Sequence, residues 1–125
     1  SLGTLVTYRG GAADRINMRK QRNAIVANVV HSLDAAHMMM TVNRLQELGM
    51  SHFSMVHDSY AVHACNVPAM NKVLREEFVK LYERDMLKAL VDEQVMRCPD
   101  IRDISYLKLG KLEIHCVQQS KYFFS

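Results

Sequence analysis

The sequence predicts an α/β domain of the α+β kind, in which two long helices flank a β-hairpin and a short mixed tail closes the chain. Three observations predict it. Apolar residues recur at steps of three and four over residues 15–48, a strict alternation follows over 52–65, and helical stepping resumes over 66–97. With 125 residues, 49% of them hydrophobic, the chain can bury one ordinary core, and one domain is the expectation.

Taken in order, residues 1–14 (SLGTLVTYRGGAAD) hold a β-like run, Leu5 to Tyr8, and then Gly10-Gly11, which read as a strand and a turn. Asp14 is placed to cap the first helix. In that helix Ile25, Val29 or Val30, Leu33, Ala36, Met40 and Leu45 mark one face, with Arg22, Asn43, Arg44 and Glu47 off it. Gly49 suits the C-terminal stop. Phe53, Met55 and His57 then alternate with Ser54, Val56 and Asp58, and Tyr60, Val62 and Ala64 with Ala61, His63 and Cys65, which makes a hairpin bending at Asp58-Ser59. Asn66, with Pro68 close behind, opens the second helix. Its apolar stripe is Val67, Met70, Leu74, Phe78 and Leu81, opposite a charge ladder of Lys72, Glu76 and Lys80. Residues 99–125 form a foot, with a strand expected over Leu112 to Cys116 and an aromatic end, Tyr122-Phe123-Phe124-Ser125, docked on the core.

Composition narrows the functional classes only coarsely. Sixteen Lys and Arg against 13 Asp and Glu leave a formal charge of +3, compatible with a polyanionic partner but no argument for one. Three cysteines, Cys65, Cys98 and Cys116, are an odd number in no metal-like spacing, so they read as buried thiols in a reducing compartment. No apolar run approaches the ~18 residues of a membrane span, so no membrane is expected as a partner. The opening Ser1 suggests a chain cut from something longer.

Candidate chemistry concentrates in three places. Asp58 stands at the bend of the hairpin, where rigid strands can present a carboxylate to solvent as a divalent metal requires. Aspartate is also a preferred turn residue for its own hydrogen-bonding reasons, and within MVHDSYAVHA the turn reading is the stronger. His31, Asp34 and His37 follow one another at steps of three, with Asp34 about 60° around the helix axis from each histidine. Helical metal pairs use i, i+4 spacing instead, so a structural arc with Asp34 orienting one imidazole is favoured over a metal cage. Finally, Arg15, Arg19, Lys20 and Arg22 form a basic run suited to phosphates, or simply a solvated face.

Together, KQRNAIVANVVHSLDAAHMMMTV at 20–42, FSMVHDSYAVHA at 53–64 and the closing GKLEIHCVQQSKYFFS resemble the single-subunit DNA-dependent RNA polymerases of bacteriophages, mitochondria and plastids. The order and spacing match as well as the words, over residues 20–125. The resemblance implies a right-hand polymerase palm, with the His-Asp-Ser hairpin as its third catalytic motif. By that likeness Asp58 is one of two aspartates holding a catalytic Mg²⁺ pair, and His57 lies beside it near the growing 3′ end. His31 reaches toward the nascent pair and the RNA:DNA hybrid, with Lys20 and Arg22 as further nucleic-acid contacts. Asn28, Ser32, Asp34, His37, Ser59 and Tyr60 support the site, and Phe123, Phe124 and the carboxylate of Ser125 form a terminal foot packed close to it. The implied partners are template DNA, ribonucleoside triphosphates and an RNA product.

The chain departs from the family pattern where Ala27-Asn28-Val29 stands in place of a Pro-Asn-aromatic step. The family's first motif, a strand with the other metal-binding aspartate, and its second, a helix bearing Arg, Lys and Tyr, are not found in residues 1–19. Two-metal nucleotidyl transfer needs ions ~3.5–4 Å apart, held by carboxylates from separate strands, and cationic groups on the triphosphate. Asp58 alone cannot assemble that site. The chain is therefore expected to be the C-terminal part of a palm, inactive without an upstream remainder on the same chain or a second subunit.

Two other classes compete. An HD-type metal phosphohydrolase also uses a His-Asp doublet, but there both residues bind one metal from a helix, whereas alternation here sends His57 and Asp58 to opposite strand faces. A noncatalytic helical scaffold or nucleic-acid-binding module would make Asp58 merely a turn. The compact tail leans the expectation to a phage-type enzyme in the host cytoplasm, with the mitochondrial matrix or a plastid as alternative.

Overall fold

A computed structural model describes residues 16–56, 58–100, 104, 106 and 108–123. In order, it holds α1 (Met18–Glu47), β1 (Phe53–Val56), β2 (Ser59–Val62), α2 (Val67–Tyr82), α3 (Met86–Arg97) and α4 (Cys116–Gln119), with a single 3₁₀ turn at Ala64–Asn66. This is a mixed helical chain around a two-stranded antiparallel hairpin, the α+β arrangement expected of a palm segment. The strand expected at Leu5 to Tyr8 and the cap expected at Asp14 lie outside the described residues. The chain divides into two compact units, residues 1–33 and 34–125, with the boundary inside α1.

Helix α1 starts where Asn17 Oδ1 accepts the Lys20 backbone N–H at 3.0 Å, an asparagine cap that satisfies one orphan donor of the first turn. It stops as Gly49 predicted. Gly49 takes φ +83°, its N–H bonds Gln46 O at 2.9 Å, and the Met50 N–H bonds Leu45 O at 3.0 Å. That pair of bonds is a Schellman motif, and Met50 packs back on the cluster containing Leu45.

The core of the second unit is small. Leu45 from α1 joins Met70, Val73 and Leu74 from α2, and Met50, Met55, Tyr60, Val62 and Phe123 pack against them. The hairpin thus lays one face of each strand on the core, Phe53 and Met55 from β1 and Tyr60 and Val62 from β2 being half-buried, while Ser54, Val56, Ser59 and Ala61 face out.

Several expectations are corrected. The second helix is two helices: Asp85 turns out of helical geometry, and its Oδ1 caps α3 by accepting the Lys88 N–H at 2.9 Å. Leu112 to Cys116 is no strand, because the chain turns at 114–115 into α4. Lys80 pairs with Glu77 at 3.4 Å, not Glu76, while Lys72 keeps Glu76 at 3.8 Å. Cys65, Cys98 and Cys116 are all exposed, Cys65 within the short 3₁₀ turn and Cys98 and Cys116 at helix ends.

The predicted core face of α1 is also displaced. The side chains it buries are His37, Thr41 and Leu45, while Ile25 and Val30 are exposed. No helix among the described residues is long and apolar enough to cross a membrane.

Candidate active site

The hairpin register sets the position of the carboxylate. Phe53 pairs with Val62, Ser54 with Ala61, Met55 with Tyr60 and Val56 with Ser59, so the pairing closes at Val56 and Ser59 and Asp58 stands in the turn between them. The bend is one residue earlier than the alternation suggested. His57 lies outside the described residues, and Asp58 is exposed at the turn. Among the described residues Asp58 makes no hydrogen bond or ion pair, so none of them is capped by its oxygens. The strand-face argument against a chelating His-Asp doublet lapses, since Asp58 is in the turn and not in a strand.

Two residues after Asp58, Tyr60 is half-buried in β2. Burial pushes the Tyr60 hydroxyl above its ordinary ionisation range, and the charges of Asp34 and then Asp58 push it the same way. Tyr82 is raised by burial and by Asp34. Asp34 itself is exposed and directs its charge at these two hydroxyls. The expected partnership of Asp34 with an imidazole gives way to a different one for His37, whose ring is buried and whose Nε2 lies 2.9 Å from Leu74 O. Phe78 meets that ring edge-on at 5.6 Å and 86°. His37 is thereby a structural link from α1 to α2. Among the described residues there is no group of three or more His, Cys, Asp or Glu side chains suited to a metal ion.

The remaining candidates fall in separate places. Lys20, Arg22, Asn28, His31 and Ser32 are exposed on the part of α1 that belongs to the first unit, and Ser32 Oγ donates to Val29 O at 2.7 Å. Ser59 opens β2 facing out, next to Asp58. Phe123 packs on the core and meets Phe78 edge-on at 4.9 Å, while Phe124 and Ser125 lie outside the described residues. Sequence reasoning missed Thr41, Arg75, Glu77 and Tyr82. Glu77 is buried beside Lys80, and Arg75 donates from Nη2 to Ser120 O at 3.0 Å. For Glu77 the signal was present, since it directly follows Glu76 and lies three residues before Lys80, on the helix side turned toward the core.

A hard divalent ion fits what Asp58 offers. Mg²⁺ is ordinarily held by one or two carboxylates, with substrate phosphates and water completing its shell, and an exposed carboxylate on a core-anchored hairpin meets that description. A second carboxylate would have to come from outside the described cluster.

The family model for DNA-dependent RNA polymerase matches residues 1–108. The chain belongs to that family. Its relatives are of the single-subunit, phage type that the motifs implied. A mitochondrial DNA-directed RNA polymerase 1B of Nicotiana tabacum is 43% identical over 112 residues, 90% of this chain and 11% of that protein. The DNA-directed RNA polymerase 1A of the same plant is 42% identical over 112 residues, which is 72% of its length. A chloroplastic DNA-directed RNA polymerase 3 of Nicotiana sylvestris is 41% identical over all 125 residues, 12% of its length. The chain thus spans about one ninth of the length of the first of these relatives. Membership in this family removes the HD-type phosphohydrolase reading.

Proposed function

We propose that this chain supplies the third catalytic motif of a DNA-directed RNA polymerase, which extends RNA on a DNA template by nucleotidyl transfer from ribonucleoside triphosphates. One observation carries the reading beyond family membership: Asp58 is an exposed carboxylate, without a partner among the described residues, at the tip of a hairpin whose inner face is seated on the core. A turn-forming aspartate would spend its oxygens on nearby backbone N–H groups; this one keeps them available.

In this reading Asp58 is one carboxylate of a two-metal site, and the bound Mg²⁺ ions supply charge neutralisation and activation of the attacking 3′ oxygen. His57 stands beside the primer end. His31, with Lys20 and Arg22, contacts the template and hybrid through groove and phosphates. Asn28, Ser32, Asp34, His37, Ser59, Tyr60, Phe123, Phe124 and Ser125 hold the framework. A second aspartate and the cationic side chains for the triphosphate come from an upstream portion of the polymerase, because the two oxygens of Asp58 cannot by themselves fill the protein side of a two-ion site and carry no positive charge for the triphosphate. The names of the relatives place those proteins in mitochondria or chloroplasts, which supports an organelle over the phage-infected cytoplasm.

The test is Asp58→Asn in the assembled polymerase, assayed for RNA synthesis and for template binding. Loss of synthesis with template binding retained is the expected outcome, whereas normal elongation by the variant would return Asp58 to the role of a turn residue in a noncatalytic module.

A further inference from the structure

We infer that Arg75 is a positioning residue, which fastens the C-terminal segment to the same core that seats the Asp58 hairpin. The inference rests on the polymerase reading above. Phe123 and the hairpin residues Met55, Tyr60 and Val62 all pack against one buried cluster from α1 and α2. Whatever holds Phe123 in place therefore also completes the floor on which the hairpin sits.

The C-terminal segment has little means of holding itself. Helix α4 is four residues long and buries none of them, far short of the length at which a helix is stable alone. Arg75 supplies the grip. From α2 its Nη2 donates to Ser120 O at 3.0 Å, just past the end of α4, and its guanidinium carbon lies 5.8 Å from the centre of the Phe123 ring. The fork thus fixes both the backbone and the side chain of one short stretch. Its Nε is buried without a hydrogen-bond partner among the described residues, a cost that an apolar side chain of similar size would avoid. An exposed second tie, His115 Nε2 to Glu83 Oε1 at 3.2 Å, holds the other end of α4.

The grip extends inward. Phe123 meets Phe78 edge-on at 4.9 Å, Phe78 meets His37 at 5.6 Å, and His37 bonds Leu74 O at 2.9 Å. Three rings therefore run from the tail through α2 to α1. Releasing Arg75 loosens the outermost ring, and with it the packing beneath the hairpin. A displacement of about 1 Å at a reacting group can cost 10²-fold in rate.

The experiment is single-turnover nucleotide addition by preformed elongation complexes of the assembled polymerase. The amplitude reports how much enzyme is competent, and the rate constant reports how well it is aligned. For Arg75→Ala the rate constant is expected to fall about 10- to 100-fold, with amplitude and template affinity within about twofold of the parent. Arg75→Lys keeps a cation without the fork and should recover part of the rate. Phe123→Leu keeps an apolar side chain but removes the ring; it should match Arg75→Ala, and the double variant should be no slower than either single one. Should Arg75→Ala fail to accumulate as folded protein, Phe123→Leu and Arg75→Lys carry the same prediction. A loss confined to amplitude, an unchanged rate constant, or additive effects in the double variant would overturn the proposal. Asp58→Asn in the same assay separates the two readings. If it extends RNA normally the polymerase reading fails, and if it is dead while Arg75→Ala is normal, only the positioning role fails.

Discussion

The two halves of α1 have opposite relations between polarity and burial. Over residues 18–33 no described side chain is fully buried, and Ile25, Val26 and Val30 are 56%, 67% and 51% exposed. Over 34–47 the buried side chains are His37 and Thr41 at 5% and 0% exposure, together with Leu45. Apolar spacing makes a helix in both halves, but the partner decides which side chains are covered. His37 is buried because Leu74 O and the edge of Phe78 accommodate its ring.

The sharpest way to break this contrast is to compare two aspartates of the second unit. Asp58→Asn should lower RNA synthesis by the assembled polymerase ~10³-fold or more. Asp34→Asn should cost far less, because Asp34 addresses the Tyr60 and Tyr82 hydroxyls. Equal losses would mean that the exposed turn carboxylate has no special role.

Next in size are truncations in the two halves of α1, measured by urea unfolding of the 125-residue chain. Leu45→Ala empties a fully buried site and should cost ~2–5 kcal/mol, whereas Ile25→Ala should stay within ~0.5 kcal/mol. A large loss at Ile25 would contradict its exposure.

Thr41→Val is expected to change stability in the other direction. Thr41 Oγ1 is buried without a hydrogen-bond partner among the described residues, so replacing the hydroxyl with a methyl group should raise the unfolding free energy by about 1 kcal/mol. A loss of similar size would reveal a partner for that oxygen.

The smallest effect is electrostatic. The ionisations of Tyr60 and Tyr82 are raised in the folded chain, so above the ordinary tyrosine value of about 10 the unfolded state ionises first. Stability associated with these groups is intact below that pH and is lost as pH rises through the folded-state values. Asp34→Asn removes one of the charges responsible and should shift both tyrosinate absorbance titrations downward. Unchanged titrations would remove Asp34 from the pair.

Much of the fold is legible in the chain. Helix stepping, the Gly49 stop and the hairpin follow from local pattern, because local geometry enforces them. The turn position reads one residue late because His57 continues the alternation of Phe53 and Met55 in composition while the register ends the strand at Val56. The break before α3 is hidden in an unbroken amphipathic pattern, with a capping aspartate as its one sign. Thr41 and Arg75 are illegible for a different reason. Their roles depend on atoms far along the chain, in the case of Arg75 on Ser120, 45 residues away.

Metal ligation by Asp58 is the central claim, and Asp58→Cys in the assembled polymerase tests it most directly. A thiolate prefers softer ions than Mg²⁺, so the variant should be inactive with Mg²⁺ and regain RNA synthesis when Mn²⁺ or Cd²⁺ is supplied. Synthesis at the parental rate with Mg²⁺ alone would contradict it.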